Sequence, residues 1–392
     1  MKILWVLDKY FDISVDRITW IETIRHLEQK GHSVSLLTGY RKVKKPIPDV
    51  HVKYVKTFHI KWIGSFLFAL HLSLKTFLQL LKNRFDFLIV DPFSLMDILP
   101  VWLILFVFSS YPKRIVDIRT IPVESYGLKG RLNNFIFRFV LKMTGKTAHG
   151  MTVITPFMKR TICDTHNLNR FPVGVWSSGA SPETFDPSLV KKSEIDKLSQ
   201  DLHLYKKFVI IYHGAMTPAR GLYETLEGFK LLVPEIRRNI ILLLIGDGTA
   251  KKQMIDWVKK HKMDKQVCFH DPVPHKDIIK YIALADIGIL PFPNLLWWRV
   301  SSPIKLMEYL IMKKSVIVTD IEAHRDVLGD APCAIWIPDN SPESIKKAIE
   351  KAYNERLKFK KYGKDARDLV LTNYTWKKQT DNFYHFLCRR MP

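Results

Sequence analysis

Phe-Val-Ile-Ile-Tyr-His-Gly-Ala-Met-Thr-Pro-Ala-Arg-Gly-Leu, residues 208–222, decides the fold. Five apolar residues of strand composition end at His213-Gly214, run through a proline-containing loop and open a helix. A strand that turns directly into a helix start is half of a β-α-β unit. Free backbone N–H groups and the positive dipole end of such a helix suit a phosphate. Arg220 adds a planar fork that matches phosphate oxygens. A solvated arginine at a helix start would look the same in sequence.

The same alternation extends both ways. Before residue 182, strand candidates lie at 2–7, 33–38, 51–55, 87–91, 114–118, 151–155 and 172–176, with amphipathic stretches such as 17–30 and 133–146 between them. After a turn-rich segment at 177–186, further strands are expected at 240–245, 266–270, 287–291, 315–319 and 334–337. The final fifty or so residues read as mostly helical. Buried strands joined by helices predict parallel sheets. The expectation is α/β: two doubly wound Rossmann-like domains, 1–182 and 183–373, facing a central cleft. A last helix, 374–392, is expected to cross back to the first domain. Ligands of such sheets bind at the carboxyl ends of the strands.

Composition narrows the class. The chain has 392 residues, 61 Lys+Arg against 38 Asp+Glu, a formal net charge of +23 and 47% hydrophobic residues. That length fits two cores, and the apolar content excludes wholesale disorder. Cys163, Cys268, Cys333 and Cys388 are far apart with no Cys-x-x-Cys pair, which excludes a zinc ribbon and fits a reducing compartment. The charge is densest before Pro182 and favours a polyanionic partner. With no aromatic-basic RNA motif, nucleic acid is not expected. The stretch 62–81 is long enough to span a bilayer. However, His71, Lys75, Gln79 and Lys82 mark a polar stripe, so an amphipathic helix is expected. Residues 99–108 are very apolar but too short to span. Both stretches read either as buried sheet-covering helices or as helices that dip into a membrane face.

Two more segments carry chemistry. Leu244-Ile-Gly-Asp-Gly248 is a second strand–turn with a glycine pair. Ser-Ser-Pro-Ile-Lys-Leu-Met-Glu-Tyr-Leu, residues 301–310, reads as a helix with Ser302 as N-cap and Pro303 at its first position. Glu308 then falls nearly two turns along, in an otherwise apolar stretch, where a carboxylate can accept both hydroxyls of a ribose diol.

In this order and spacing, the three segments resemble retaining GT-B glycosyltransferases of the GT4 type, also called glycosyltransferase group 1. Lys30-Gly-His-Ser-Val-Ser-Leu-Leu-Thr38, the 153–162 helix entry and Ser178-Gly-Ala-Ser-Pro-Glu-Thr-Phe-Asp-Pro187 are similar to further segments of that family. The resemblance implies transfer of a sugar from a nucleotide diphosphate sugar to a hydroxyl acceptor, with retention, in glycan, polysaccharide or glycolipid assembly. It implies Arg220 at the donor diphosphate and Glu308 at the ribose. Gly214, Gly246, Gly248, Val273 (near the base), Ser302, Ile304 and Lys305 complete the donor site, with Arg299 a nearby cation. Asp117 and Arg119 are the candidates near the reaction centre, and Asp16 and Arg17 lie on the acceptor side. Three departures stand out: Val300 and Ala215 replace a Glu and an Arg of the family, and Ser14-Val-Asp-Arg17 stands where a Gly-Gly is usual. No Asp-x-Asp triplet occurs, so neither a metal nor a cofactor is expected. The expected partners are the donor, a glycan or lipid-linked acceptor and an anionic membrane, from a cytoplasmic, peripheral location. A degenerate GT-B partner subunit and a GT-B-fold sugar-nucleotide epimerase are the alternatives.

Overall fold

The computed structural model describes residues 1–11, 17–40, 47, 50–57, 63–109, 111–123 and 127–389. The chain forms two compact units, Met1–Ser177 with Trp376–Pro392, and Ser178–Thr375.

The first unit holds a seven-stranded parallel sheet. Its strands are β1 (Lys2–Tyr10), β2 (Ser33–Gly39), β3 (Val52–Val55), β4 (Phe87–Val90), β5 (Lys113–Ile118), β6 (Gly150–Val153) and β7 (Val173–Val175), in the order β3-β2-β1-β4-β5-β6-β7. Strands such as Phe-Leu-Ile-Val of β4 are buried throughout. That continuous apolar run is what a strand covered on both faces requires. The connecting helices are α1 (Arg17–Gln29), α2 (Gly64–Lys82), α3 (Pro92–Asp97), α4 (Leu99–Phe108), α5 (Leu128–Thr147) and α6 (Pro156–His166). The Trp376–Cys388 helix packs on α1 and β7. Its Phe383 ring lies 5.4 Å from that of Trp5 and 4.9 Å from that of Trp176. The Gln379 side chain accepts the Ser177 N–H at 2.6 Å.

The second unit holds a six-stranded parallel sheet, β8 (Phe208–His213), β9 (Ile240–Ile245), β10 (Val267–His270), β11 (Ile287–Leu290), β12 (Ser315–Thr319) and β13 (Ala334–Ile337), in the order β10-β9-β8-β11-β12-β13. Strand order reverses between β1 and β4 in one sheet and between β8 and β11 in the other. These are the switch points at which doubly wound sheets open a crevice beyond their strand ends. The two doubly wound sheets expected from the sequence are both present.

His324 sits inside this second core, fully buried, with Nδ1 2.7 Å from the Thr319 carbonyl. Burial pushes its pKa from 6.5 down to about 4. The unfolded chain therefore binds a proton at His324 that the folded unit refuses between those values, and stability falls as pH falls through that window. The term is worth about 3 kcal/mol. Thermal melts from pH 7 to 4.5 are expected to show a steeper loss in the native protein than in His324→Asn. Parallel curves would remove His324 as the cause.

Candidate functional site

The loops after β8 and β9 are laced together. Gly214 N–H bonds the Ile245 carbonyl at 2.8 Å, and Met216 N–H bonds that of Asp247 at 2.8 Å. Gly246 has φ 143°, and a Cβ there would sit 2.0 Å from the Gly214 carbonyl oxygen. One at Gly248 would sit 2.2 Å from the Met216 oxygen. These two glycines make room for protein backbone, which locks the two loops together. Gly214, with φ 116°, does something else. A Cβ on it would lie 2.5 Å from the Lys305 Cε, so its bareness admits the lysine stem.

Lys305 is the second residue of the Ile304–Ile311 helix. Its Nζ lies 5.6 Å from the Tyr212 ring and makes no ion pair among the described residues. Burial pushes its pKa from 10.5 down to about 7; Arg220 pushes the same way and Glu308 opposes. Arg220 lies in the short turn Pro218–Arg220, ahead of the Leu222–Lys230 helix. Its guanidinium stands 4.8 Å from the Trp298 ring and 5.8 Å from Phe292, themselves stacked at 4.3 Å. Trp298 is fixed by its indole N–H, which donates to the Ala219 carbonyl at 2.6 Å. Arg220 Nε is buried with no hydrogen-bond partner. An orphaned cationic donor beside a second, partly discharged cation is unfavourable without an anion.

Glu308 lies one turn into its helix, not two, because the helix begins at Ile304 with Pro303 as its cap. Ser302 is not the N-cap. Its hydroxyl accepts the Ser178 N–H at 3.0 Å and its carbonyl accepts the Ser178 hydroxyl at 2.9 Å, tying that segment to the helix entrance. Glu308 is 3% exposed. Nε2 of His275 lies 2.7 Å from one carboxylate oxygen and Nε2 of His213 lies 3.2 Å from the other. Burial alone would raise the Glu308 pKa, but the two imidazoles outweigh it and hold the carboxyl below the usual range. Burial lowers the His213 pKa, with Glu308 opposing. His275 is half-exposed and edges Phe185 at 5.2 Å. Val273, two residues earlier, is partly buried against the core.

Sequence reasoning missed His213, His275 and Trp298. His213 ends β8, the position a strand-end reading could have found. The other two come close only through the fold. Arg299 pairs with Glu322, its Nε 2.7 Å from a carboxylate oxygen, so it is already engaged. Val300 is buried. The carbonyl of Ala215 accepts the Tyr212 hydroxyl at 2.7 Å.

In the first unit, Asp117 is fully buried and accepts hydrogen bonds from the Thr152 hydroxyl at 2.7 Å and the Trp176 indole at 3.0 Å. Burial raises its pKa while Arg119 opposes. The side chain ties β5 to Thr152 of β6 and to Trp176 just after β7. Arg119 donates to the Trp176 carbonyl at 2.9 Å, its guanidinium 3.9 Å from that ring. Arg17 opens α1, exposed, and Asp16 lies outside the described residues. The carboxyls at this switch point are others: Asp8 on β1, Asp91 after β4 and Asp97 closing α3. Asp97 is pushed up to about 8 by burial and by the charges of Asp8 and Asp91. Asp8 is pushed up to about 6 by burial and Asp91.

Residues 194–369 match the family described as glycosyl transferases group 1. That match lies within the second unit. An uncharacterized glycosyltransferase of Methanocaldococcus jannaschii is 21% identical over 259 residues, 65% of this chain and 62% of that protein, so the match spans less than two thirds of the relative. Among solved structures, sucrose-phosphate synthase from Thermosynechococcus elongatus has a TM-score of 0.79 at 13% identity, with 98% of each chain covered. Anabaena HepE, in complex with UDP and glucose, has 0.78 at 13%, covering 99% of this chain and 100% of that one. WaaG, a glycosyltransferase involved in lipopolysaccharide biosynthesis, has 0.75 at 15%, covering 99% and 100%. The chain has the GT-B fold.

Proposed function

We propose that the protein transfers a sugar from a nucleoside diphosphate sugar to a hydroxyl acceptor, with retention and without a metal. The observation that carries this is the pair of crowded cations, Arg220 with its unpartnered buried Nε and Lys305 with its lowered pKa, one helical turn from the buried carboxylate of Glu308. When the diphosphate departs, negative charge grows on its oxygens, and fixed positive groups stabilise that charge without reorganising. Glu308 is the acceptor for a ribose diol, with His275 the partner a ligand would displace. The raised carboxyls of Asp8 and Asp97 suit a hydroxyl-rich acceptor. The relative that binds UDP and glucose makes uridine diphosphate sugars the first donors to try.

The test is a donor screen reading nucleoside diphosphate release in chelator, with the product anomer assigned by NMR. Release with a retained anomer supports the reading. Donor conversion to a different free sugar without acceptor would favour an epimerase. Absence of donor binding would favour a partner subunit, a reading that Val300 and Ala215 motivate.

Lys305 adds a proton count. With its pKa at about 7 in the free protein, Lys305 is mostly neutral at pH 8. A bound diphosphate favours the charged form, so binding takes up close to one proton, and affinity falls by up to about tenfold per unit as pH rises above that value. Calorimetry of UDP binding in buffers of different ionisation heat reads this directly. Uptake that persists in Lys305→Met would assign the proton elsewhere.

A further inference from the structure

We propose that α2, α4 and α5 of the first unit form a docking face for an anionic lipid bilayer. None of these helices contains an acidic residue. On α2, Phe66, Leu70, Leu74, Phe77 and Leu81 recur every three or four residues and are all exposed, while Phe68, Leu72 and Thr76 on the opposite side are buried. On α5, Leu128, Leu132, Phe135 and Phe139 form a second exposed stripe. The end of α4 adds Val107 and Phe108, the latter 81% exposed.

The three helices are contiguous. α2 packs on α4. The Trp102 indole on α4 donates to the Thr147 hydroxyl on α5 at 2.9 Å. The buried Arg114 guanidinium bonds the carbonyls of Leu105 at 3.0 Å, Ser109 at 3.1 Å and Thr147 at 3.0 Å, holding the ends of α4 and α5 together. Apolar faces of this extent are rare on proteins that meet only water.

Charge selects the occupant. Lys75, Lys82, Arg84, Arg131, Arg138 and Lys142 flank the stripes, are exposed, and make no ion pair among the described residues. A second copy docking through this face would set cation against cation. Nucleic acid would leave the leucines and phenylalanines uncovered. A surface that is anionic outside and hydrocarbon beneath satisfies both features, as for interfacial helices whose apolar side sinks about 5–10 Å into the headgroup boundary. The Gly64–Lys82 helix is long and apolar enough to cross a bilayer by length and composition. Its buried stripe and the 2.5 Å bond from Lys53 Nζ to Gln79 keep it on the sheet instead. Between the ends of α2 and α4 a groove of about 310 Å³, lined by Phe77, Leu81, Arg84, Ile104, Tyr111 and Pro112, has room for part of an acyl chain.

Co-sedimentation tests this without any activity measurement, so it stands or falls apart from the transferase reading. Binding to vesicles of equimolar phosphatidylglycerol and phosphatidylcholine is expected to exceed binding to pure phosphatidylcholine by at least about tenfold and to weaken as salt rises. Leu132→Glu with Phe135→Glu on α5, and separately Leu70→Glu with Leu74→Glu on α2, should each lower it about tenfold. Leu357→Glu, an exposed apolar site on the second unit, should not. Equal binding to both vesicles, or none, overturns the proposal. So does a dimer by light scattering that these substitutions dissolve while vesicle binding is absent.

Discussion

Arg220→Ala is expected to slow sugar transfer by about 10²–10³-fold while the protein stays folded. Two magnitudes separate these outcomes. The guanidinium contributes to the fold through its position near Trp298 and Phe292, worth about 1 kcal/mol. For a unit of this size that is a melting shift of about 2–4 °C. A preorganised donor lost from a leaving diphosphate costs about 3–4 kcal/mol, felt in turnover alone. Arg220→Lys keeps a charge but not the planar fork, so it should recover only part of the rate. Steady-state kinetics beside a thermal melt decides the matter. Near-normal turnover in Arg220→Ala would end the diphosphate assignment.

Glu308→Ala should raise the donor KM by about 10²–10⁴-fold, the loss of two hydrogen bonds to a charged acceptor. It also leaves His213 buried beside an empty position, which costs about 1–3 kcal/mol of stability. Glu308→Gln keeps the shape and should fall between native protein and alanine variant in both measures. The two imidazoles hold the native carboxyl ionised, so its charge is not the source of any affinity lost between pH 7 and 5. A donor KM unchanged in Glu308→Ala would show that Glu308 serves only the histidines.

Why the sheets were legible and much of the site was not follows from particular residues. β9 is Ile-Ile-Leu-Leu-Leu-Ile, and no environment other than burial on both faces suits it. Arg220 and Glu308 carry their chemistry in local context, a cation at a turn and an acid in an apolar helix. The rest depends on which way a side chain points. Asp117 sits near a strand end, as a reacting group could, but its side chain faces inward to Thr152 and Trp176. Ser302 has the composition of a cap, yet Ser178, 124 positions earlier, takes its hydroxyl. His213 at the end of β8 and His275 in the loop after β10 meet on Glu308, a closeness created by sheet order. The glycine pair at 246 and 248 illustrates the same limit, since a phosphate cradle and a backbone crossing make the same demand for a missing Cβ.

The Trp376–Cys388 helix gives the chain an unusual timetable. Domains generally fold as units, the earlier one first, during synthesis at about 5–20 residues per second. Here the second unit has all its strands before the ribosome makes Phe383, the ring that covers Trp5 and Trp176. For the time it takes to translate some two hundred residues, the first unit must keep one tryptophan-lined side of its sheet open. The domain begun first is finished last.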